Sequence, residues 1–146
     1  MTEPAADHVA GLARAFFAGM GPTFEDFVRT FETMLSEEVV WESVGFDRHD
    51  GKAECLAYLD TLRATTGFEY CTIGVQHLAV DGDVVLTERL DTMFRADGTV
   101  IMDFRVAGAL QFRGDKVIRY TDYLDTHGTI QRLTALASEM GHAAAQ

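Results

Sequence analysis

Three charged residues on two predicted strands have the types and spacing for acid–base chemistry. Arg89 and Asp91 lie two apart in VVLTERLDTMF, residues 84–94, and Asp122 lies near the end of KVIRYTDYLD, residues 116–125. Side chains two apart on a strand project from the same face. Two carboxylates held by one guanidinium can differ in protonation, because like charges at close range cannot both ionise cheaply. One then donates a proton and the other accepts one near neutral pH.

Strand periodicity does not determine whether these charged groups face solvent or the interior of the protein. By periodicity alone, Arg89 and Asp91 share the more polar face of their strand, where a solvated pair contributes about 0 to 1 kcal/mol. Asp122 is the only charge on a face that it shares with Ile118 and Tyr120. A carboxylate on an apolar face needs a partner, so we expect Asp122 to point inward and Arg89 to be its nearby cation. The alternative is a frayed strand end, where Asp122 accepts hydrogen bonds from a loop.

An acid and a base held together suit a reaction in which a leaving oxygen is protonated while water is deprotonated. Opening of an epoxide by water is such a reaction. The Met, Phe and Leu side chains of the predicted sheet and helices would make the rest of a pocket apolar. A small hydrophobic substrate would fit such a pocket.

The elements that must position these residues are predicted to be helices first and strands afterwards. Apolar residues at helical spacing predict helices over residues 5–19, 21–35, about 51–64 and about 127–139. Residues 38–44 are predicted to be extended and residues 45–51 to form a loop. After Gly67 the period changes to two, and three turn dipeptides separate four strands: Asp81-Gly82, Asp97-Gly98 and Gly114-Asp115.

This order predicts an α+β fold in a single domain over residues 1–146. We expect a curved, mostly antiparallel sheet wrapped around the N-terminal helices. Such a sheet makes a cone-shaped barrel with a deep pocket.

Composition excludes several classes of partner. The net charge of -11 argues against nucleic acid or an anionic membrane surface as the main partner. No apolar run is long enough to span a membrane and the first residues lack the order of a signal peptide, so we expect a cytoplasmic protein. Cys55 and Cys71 are expected to be reduced, packed thiols. The five histidines show no ligand cluster, so we predict no metal and no cofactor, and we expect His77 to be packed inside.

At its charged residues the sequence resembles the limonene-1,2-epoxide hydrolase family. LTERLD is similar to the Arg-x-Asp strand of that family, and GDKVIRYTDYLD is similar to its last strand. The resemblance implies the cone fold shared with ketosteroid isomerases and SnoaL-like polyketide cyclases. It also implies that Asp91 protonates the epoxide oxygen, that Asp122 activates water and that Arg89 orients both. Water would attack directly, with no covalent intermediate and no metal.

The chain departs from the family pattern in VVWESVG, residues 39–45. The family places a Tyr and an Asn two apart on this strand to hold the attacking water with the base, whereas Trp41 and Ser43 occupy these positions here. An indole Nε1 donates but cannot accept, and a serine hydroxyl is shorter than an amide. Water held by Trp41, Ser43 and Asp122 would therefore have a different geometry. Alternatively, Trp41 is a core aromatic and Ser43 a strand-edge hydroxyl.

Three functions follow from this pattern. The first is a hydrolase that converts a small hydrophobic epoxide to a vicinal diol. The second is an isomerase or a polyketide or epoxide-opening cyclase on the same fold, which the changes at residues 41 and 43 favour. The third is a non-catalytic ligand-binding module, in which Arg89, Asp91 and Asp122 would be solvated or apart. We also expect a homodimer formed through the outer sheet face, with Val85 and Met93, or Leu86 and Phe94, in the interface depending on register.

Overall fold

A computed structural model describes residues 3–145, which form four helices and one six-stranded sheet. The helices are α1 (Glu3–Ala18), α2 (Phe24–Met34), α3 (Lys52–Thr66) and α4 (Thr126–Ala145). The strands are β1 (Leu35–Ser43), β2 (Arg48–Asp50), β3 (Tyr70–Asp81), β4 (Val84–Phe94), β5 (Val100–Arg113) and β6 (Lys116–Tyr123). The loop predicted over residues 45–51 was wrong in part, because three of its residues form β2, which pairs with β1.

Helix α2 illustrates how local sequence sets the element boundaries. The Thr23 hydroxyl accepts a hydrogen bond from the Asp26 backbone N–H at 3.1 Å, and the Asp26 carboxylate accepts one from the Thr23 N–H at 3.3 Å. This reciprocal capping box satisfies two backbone donors at the helix start. The helix then buries Phe24, Phe27 and Phe31 on one face. Its start is therefore fixed by polar contacts and its orientation by apolar burial.

The sheet has the strand order β2-β1-β6-β5-β4-β3. Neighbouring strands are antiparallel except β1 and β6, which are parallel. Two of the predicted hairpin turns contain Gly82 and Gly114 with φ angles of 62° and 58°. Glycine adopts this left-handed conformation without the steric cost that a Cβ brings.

The helices lie on one face of this curved sheet. Helix α1 contacts β3 and β4, while α3 contacts β1, β2 and the other helices α2 and α4. Phe16 from α1 packs on Phe31 from α2 and on Tyr120 from β6, with ring centroids 5.8 and 5.3 Å apart. The α+β prediction is confirmed. The sheet does not close into a barrel, since β2 and β3 are its two edges.

Two further observations concern the described part of the chain. Among residues 3–145, no helix combines the length and the apolar character needed to cross a membrane. Cys55 and Cys71 are free thiols, as predicted, and Cys55 is buried.

Candidate active site

Arg89 and Asp91 lie on the covered face of β4. Their exposed fractions are 1% and 5%, whereas Leu86 and Leu90 on the opposite face are 47% and 40% exposed. The solvated surface pair that periodicity alone favoured is therefore not the arrangement in the structure. The physical reason is that α1 covers this face: the Phe17 ring lies over the guanidinium, with its centroid 4.6 Å from Arg89 Cζ. The cation–π contact and the two carboxylates replace the solvent that Arg89 loses.

Arg89 joins Asp91 and Asp122 through hydrogen bonds. Its Nε donates to Asp91 Oδ1 at 3.1 Å and its Nη2 to Asp91 Oδ2 at 2.7 Å, which is a two-pronged contact. The same Nη2 donates to Asp122 Oδ1 at 3.0 Å, and Nη1 donates to the Thr87 hydroxyl at 3.3 Å. Asp122 is 7% exposed, so it points inward rather than lying at a frayed strand end. One nitrogen thus brings the two carboxylates together.

The guanidinium reaches from β4 to β6 across a glycine on β5. Gly108 lies opposite Thr87 on one side and opposite Asp122 on the other. A Cβ at Gly108 would contact Arg89 Nη1 and would lie 2.8 Å from Asp122 Oδ1. The missing side chain therefore leaves the space in which Arg89 and Asp122 meet.

Burial and neighbouring charges set the ionisation of this cluster. Burial raises the pKa of Asp122 to about 6, although the Arg89 charge opposes this rise and hydrogen bonds from Arg89 and Tyr120 also lower it. The nearby Asp91 charge acts in the same direction as burial. Burial alone would lower the pKa of Arg89, but the charges of Asp122 and Asp91 and the hydrogen bond to Asp91 outweigh burial and raise that pKa above its ordinary value, so the guanidinium stays charged. Asp122 can therefore exchange a proton near neutral pH.

The two carboxylates face a cavity of about 110 Å³. Asp91, Asp122, Trp41 and Ser43 line it, while Arg89 lies behind the carboxylates. Most of the remaining lining is apolar: Met20, Phe27, Leu59, Leu62, Phe68, Ile73, Met93, Phe104, Val106, Leu124 and Leu133. An apolar cavity with two convergent carboxylates is a typical small-molecule site.

The parallel pairing of β1 and β6 places Trp41 and Ser43, the two departures from the family pattern, next to the second carboxylate. Trp41 lies opposite Tyr120 and Ser43 lies opposite Asp122. Trp41 is also a core aromatic: it stacks on Tyr120 with ring centroids 5.5 Å apart and meets Phe31 edge-on at 5.2 Å. Trp41 is therefore a core aromatic that also borders the cavity. Ser43 is half-buried, at the end of β1 that borders the cavity.

Sequence reasoning did not single out Gly108, Thr87 or Tyr120 as parts of the site. A glycine inside a strand pattern indicates a close backbone or side-chain approach, and that signal was present in RVAGALQF. Tyr120 lies two residues before Asp122 on the same face of β6, so its closeness to that carboxylate could also have been predicted from the sequence. The only indication for Thr87 in the sequence was its position two residues before Arg89, which places both side chains on the same face of the strand. No group of three or more His, Cys, Asp or Glu residues within residues 3–145 has the geometry of a metal site.

Comparison with known proteins gives a consistent family. The catalytic-domain profile of limonene-1,2-epoxide hydrolase matches residues 9–135. Epoxide hydrolase EphG of Mycobacterium tuberculosis is 30% identical over 116 residues, covering 77% of this chain and 74% of that protein.

Solved structures share the fold. A limonene-epoxide-hydrolase-like epoxide hydrolase of M. tuberculosis matches with a TM-score of 0.71 at 21% identity, over 96% of this chain and 99% of that one. A SnoaL-like protein from Jannaschia sp. CCS1 matches with a TM-score of 0.71 at 14% identity, over 92% and 97% of the two chains. At sequence identities this low, structural similarity shows only that the fold is shared. The profile match spans most of the sequence, and the chain therefore belongs to the limonene-1,2-epoxide hydrolase family.

Proposed function

We propose that this protein hydrolyses a small hydrophobic epoxide to a vicinal diol. The observation that carries the proposal is the buried Asp91–Arg89–Asp122 cluster, whose two carboxylates face one apolar cavity. Membership in an epoxide hydrolase family supports the reaction class. A non-catalytic module would have these three residues solvated or apart, and here they are buried and hydrogen-bonded to one another.

The reaction needs a proton donor on one side of the epoxide and a proton acceptor on the other. Asp122 is the base because Ser43 and Trp41 border it and can help to hold a water molecule. As water attacks a ring carbon, a C–O bond forms and Asp122 takes one water proton. In the reactive form Asp122 is ionised and the one proton of the coupled pair lies on Asp91. The ring C–O bond breaks, and Asp91 gives that proton to the departing oxygen. Arg89 contacts both carboxylates through Nη2, and the cluster resets when a proton returns from Asp122 to Asp91.

The cavity favours a substrate with little polarity away from the ring. Its walls are aromatic and aliphatic side chains from helices and strands alike, with Phe27, Phe68 and Phe104 among them. Desolvation of an apolar substrate body would contribute most of the binding energy. A cyclic terpene oxide, styrene oxide, a long-chain fatty epoxide and a steroid epoxide would sample the range of sizes.

Turnover of those four epoxides in oxygen-18 water tests the proposal. We expect diol carrying one labelled oxygen even in a single turnover, because water attacks carbon directly. Asp91→Asn and Asp122→Asn should each lose that activity while remaining folded. Asp103→Asn, which changes an exposed carboxylate on β5, should keep it. Unlabelled product in the first turnover would instead indicate a covalent intermediate.

A ring-closing or isomerising enzyme is the second candidate, and one observation favours it. Trp41 and Ser43 occupy the positions at which the family resemblance implies Tyr and Asn, so water is held by different groups. A substrate hydroxyl could then act as the nucleophile, with the same acid and base. Absence of diol from every epoxide, with folded wild-type protein, would favour this candidate over hydrolysis.

A further inference from the structure

A buried tyrosine lines the cavity and has no part in the mechanism given so far. Tyr120 is 4% exposed and lines the same cavity as Asp91 and Asp122. It precedes Asp122 by two residues on β6, so both side chains project from one face. Its ring is held on two sides, by the stacked Trp41 at 5.5 Å and by the edge-on Phe16 at 5.3 Å. The Tyr120 ring is therefore fixed beside the cavity.

The hydroxyl also interacts with the carboxylate of Asp122. The Tyr120 hydroxyl lowers the pKa of Asp122, against the rise caused by burial, because it can donate toward the ionised carboxylate. Conversely, burial and the Asp122 charge raise the pKa of Tyr120 well above its ordinary value, so the phenol stays protonated. A protonated phenol donates its one hydrogen and keeps lone pairs free to accept.

Direct attack by water requires a second hydrogen-bond acceptor, and the free lone pair of the Tyr120 hydroxyl can serve as one. A water whose lone pair points at carbon has two hydrogens left, and each is best held by an acceptor. Asp122 accepts one of them. Trp41 cannot accept the other, because an indole Nε1 only donates, so the acceptors that remain beside Asp122 are the hydroxyls of Ser43 and Tyr120. An oxygen beside Asp122, at fixed distance from it, would both hold the water and keep it aligned for the proton transfer.

We propose that Tyr120 positions the attacking water, accepting its second hydrogen through Oη while donating its own hydrogen to Asp122. This inference rests on the proposed hydrolysis by direct water attack. It assigns to β6 a water-holding group that would otherwise be sought on β1. The ring stack with Trp41 then has a purpose beyond packing, because it fixes the distance between Oη and the carboxylate.

Several groups, Tyr120 among them, face Asp122 and can influence its pKa. These groups are Arg89 and Asp91 from β4, Tyr120 on the same strand, and Cys71 from β3, which lines the cavity. From the adjacent strand β1, Ser43 and Trp41 face the carboxylate but carry no charge. Removing the Tyr120 hydroxyl changes one of these interactions and leaves the charges in place.

Tyr120→Phe is the test, because it keeps the ring stack and removes only the hydroxyl. We expect kcat to fall by about 10- to 100-fold with KM changed by less than about twofold, since the loss falls on the water and not on the substrate. The acid limb of the pH–rate profile should move to higher pH, because Asp122 loses a donor to its ionised form. Tyr123→Phe is the matched control: Tyr123 is 52% exposed on the other face of β6, and its variant should behave as wild type.

Carboxyl-carbon NMR titration of Asp122 separates this inference from the proposed hydrolysis. A higher Asp122 titration midpoint in Tyr120→Phe than in wild type supports the contact whether or not any epoxide is turned over. An unchanged midpoint, or wild-type kcat in Tyr120→Phe when Asp122→Asn is inactive, overturns the role of Tyr120 and leaves hydrolysis standing. Wild-type diol formation in Asp122→Asn overturns the hydrolytic mechanism and, with it, the role of Tyr120 in that reaction.

Discussion

Arg89 explains why an arginine and not a lysine is needed at the centre of the site. Three of its nitrogens donate to Thr87, Asp91 and Asp122, and the planar fork matches both oxygens of Asp91. A lysine ammonium has the same charge but no fixed fork, so it could not hold two carboxylates at set angles. Burying a charge is costly, and this cluster offsets the cost because each of the three guanidinium nitrogens donates a hydrogen bond.

In the proposed mechanism, the pH dependence of turnover follows from the ionisation of Asp122. Burial raises its pKa from the usual value near 3.8 to about 6, and the group must be ionised to accept a proton from water. We therefore expect kcat/KM to fall tenfold per pH unit as pH drops below about 6. Initial rates between pH 4.5 and 8, with circular dichroism to check folding at each pH, measure this. A limb that stays near pH 4 would contradict the assignment of Asp122 as the base.

Gly108 leaves the space that the Arg89–Asp122 ion pair occupies. In Gly108→Ala the new methyl group would occupy the space where Arg89 and Asp122 meet, so the ion pair must separate. We expect kcat/KM to fall about 100-fold, because small displacements of catalytic groups are expensive. Gly11→Ala in α1, where a Cβ meets nothing within 4 Å, is the control for the substitution itself and should keep full activity. Wild-type kcat/KM in Gly108→Ala would show that the cluster tolerates a side chain there.

At the scale of elements, periodicity predicted where strands and helices lie but not which face of β4 is covered. Its apolar residues Leu86 and Leu90 are exposed, whereas Arg89 and Asp91 are buried. The periodicity of one strand reflects only the polarity of its own side chains. It does not show that charged groups on neighbouring strands form hydrogen bonds and ion pairs that allow them to be buried. The partner Asp122 was predictable, because its own face was otherwise apolar.

Strand β3 shows a second limit of strict alternation. His77 was predicted to be packed, on the face shared by Ile73 and Val75, and this was wrong: its side chain is 84% exposed and contacts Glu88 at 2.9 Å. The pairing with β4 shifts between Val75 and His77, which reverses the alternation. After this bulge Leu78, not His77, turns inward. No residue type in the segment marks the position of the bulge.

The capping box of α2 yields a prediction about stability. Thr23→Ala removes the acceptor for the Asp26 backbone N–H, which should lower the free energy of unfolding by about 1 kcal/mol. Urea denaturation measures the change. Thr33→Ala, in the last turn of the same helix, removes a hydroxyl that only bonds back to the Arg29 carbonyl, and it should change stability by less than about 0.5 kcal/mol. Equal effects of the two variants would mean that the cap contributes nothing specific.

For the whole molecule, the outer face of the sheet suggests how two copies would associate. Leu86 and Leu90 are exposed there, and Phe94 stacks beside them on Tyr70 at 4.9 Å. Of the two registers considered for a dimer interface, this selects the one with Leu86 and Phe94 outside, because Val85 and Met93 are buried. We propose a homodimer through this face, which would remove its apolar area from water.

Light scattering after size-exclusion chromatography tests the dimer. We expect wild type to have twice the mass of one chain, and the double variant Leu86→Glu/Leu90→Glu to have the mass of one. Ile130→Glu, at an apolar position on α4 that is 43% exposed, should leave the dimer intact. A wild-type mass of one chain would exclude the association at the concentration used.

The stacked position of Trp41 has a practical consequence. It is the only tryptophan in the chain, and it lines the cavity against Tyr120. Intrinsic fluorescence excited at the red edge of indole absorption therefore reports from this one location. A molecule that enters the cavity should change the emission intensity or wavelength in a saturable way, so candidate ligands can be screened by titration before any reaction is known. The protein carries its own optical probe at the place where a substrate would bind.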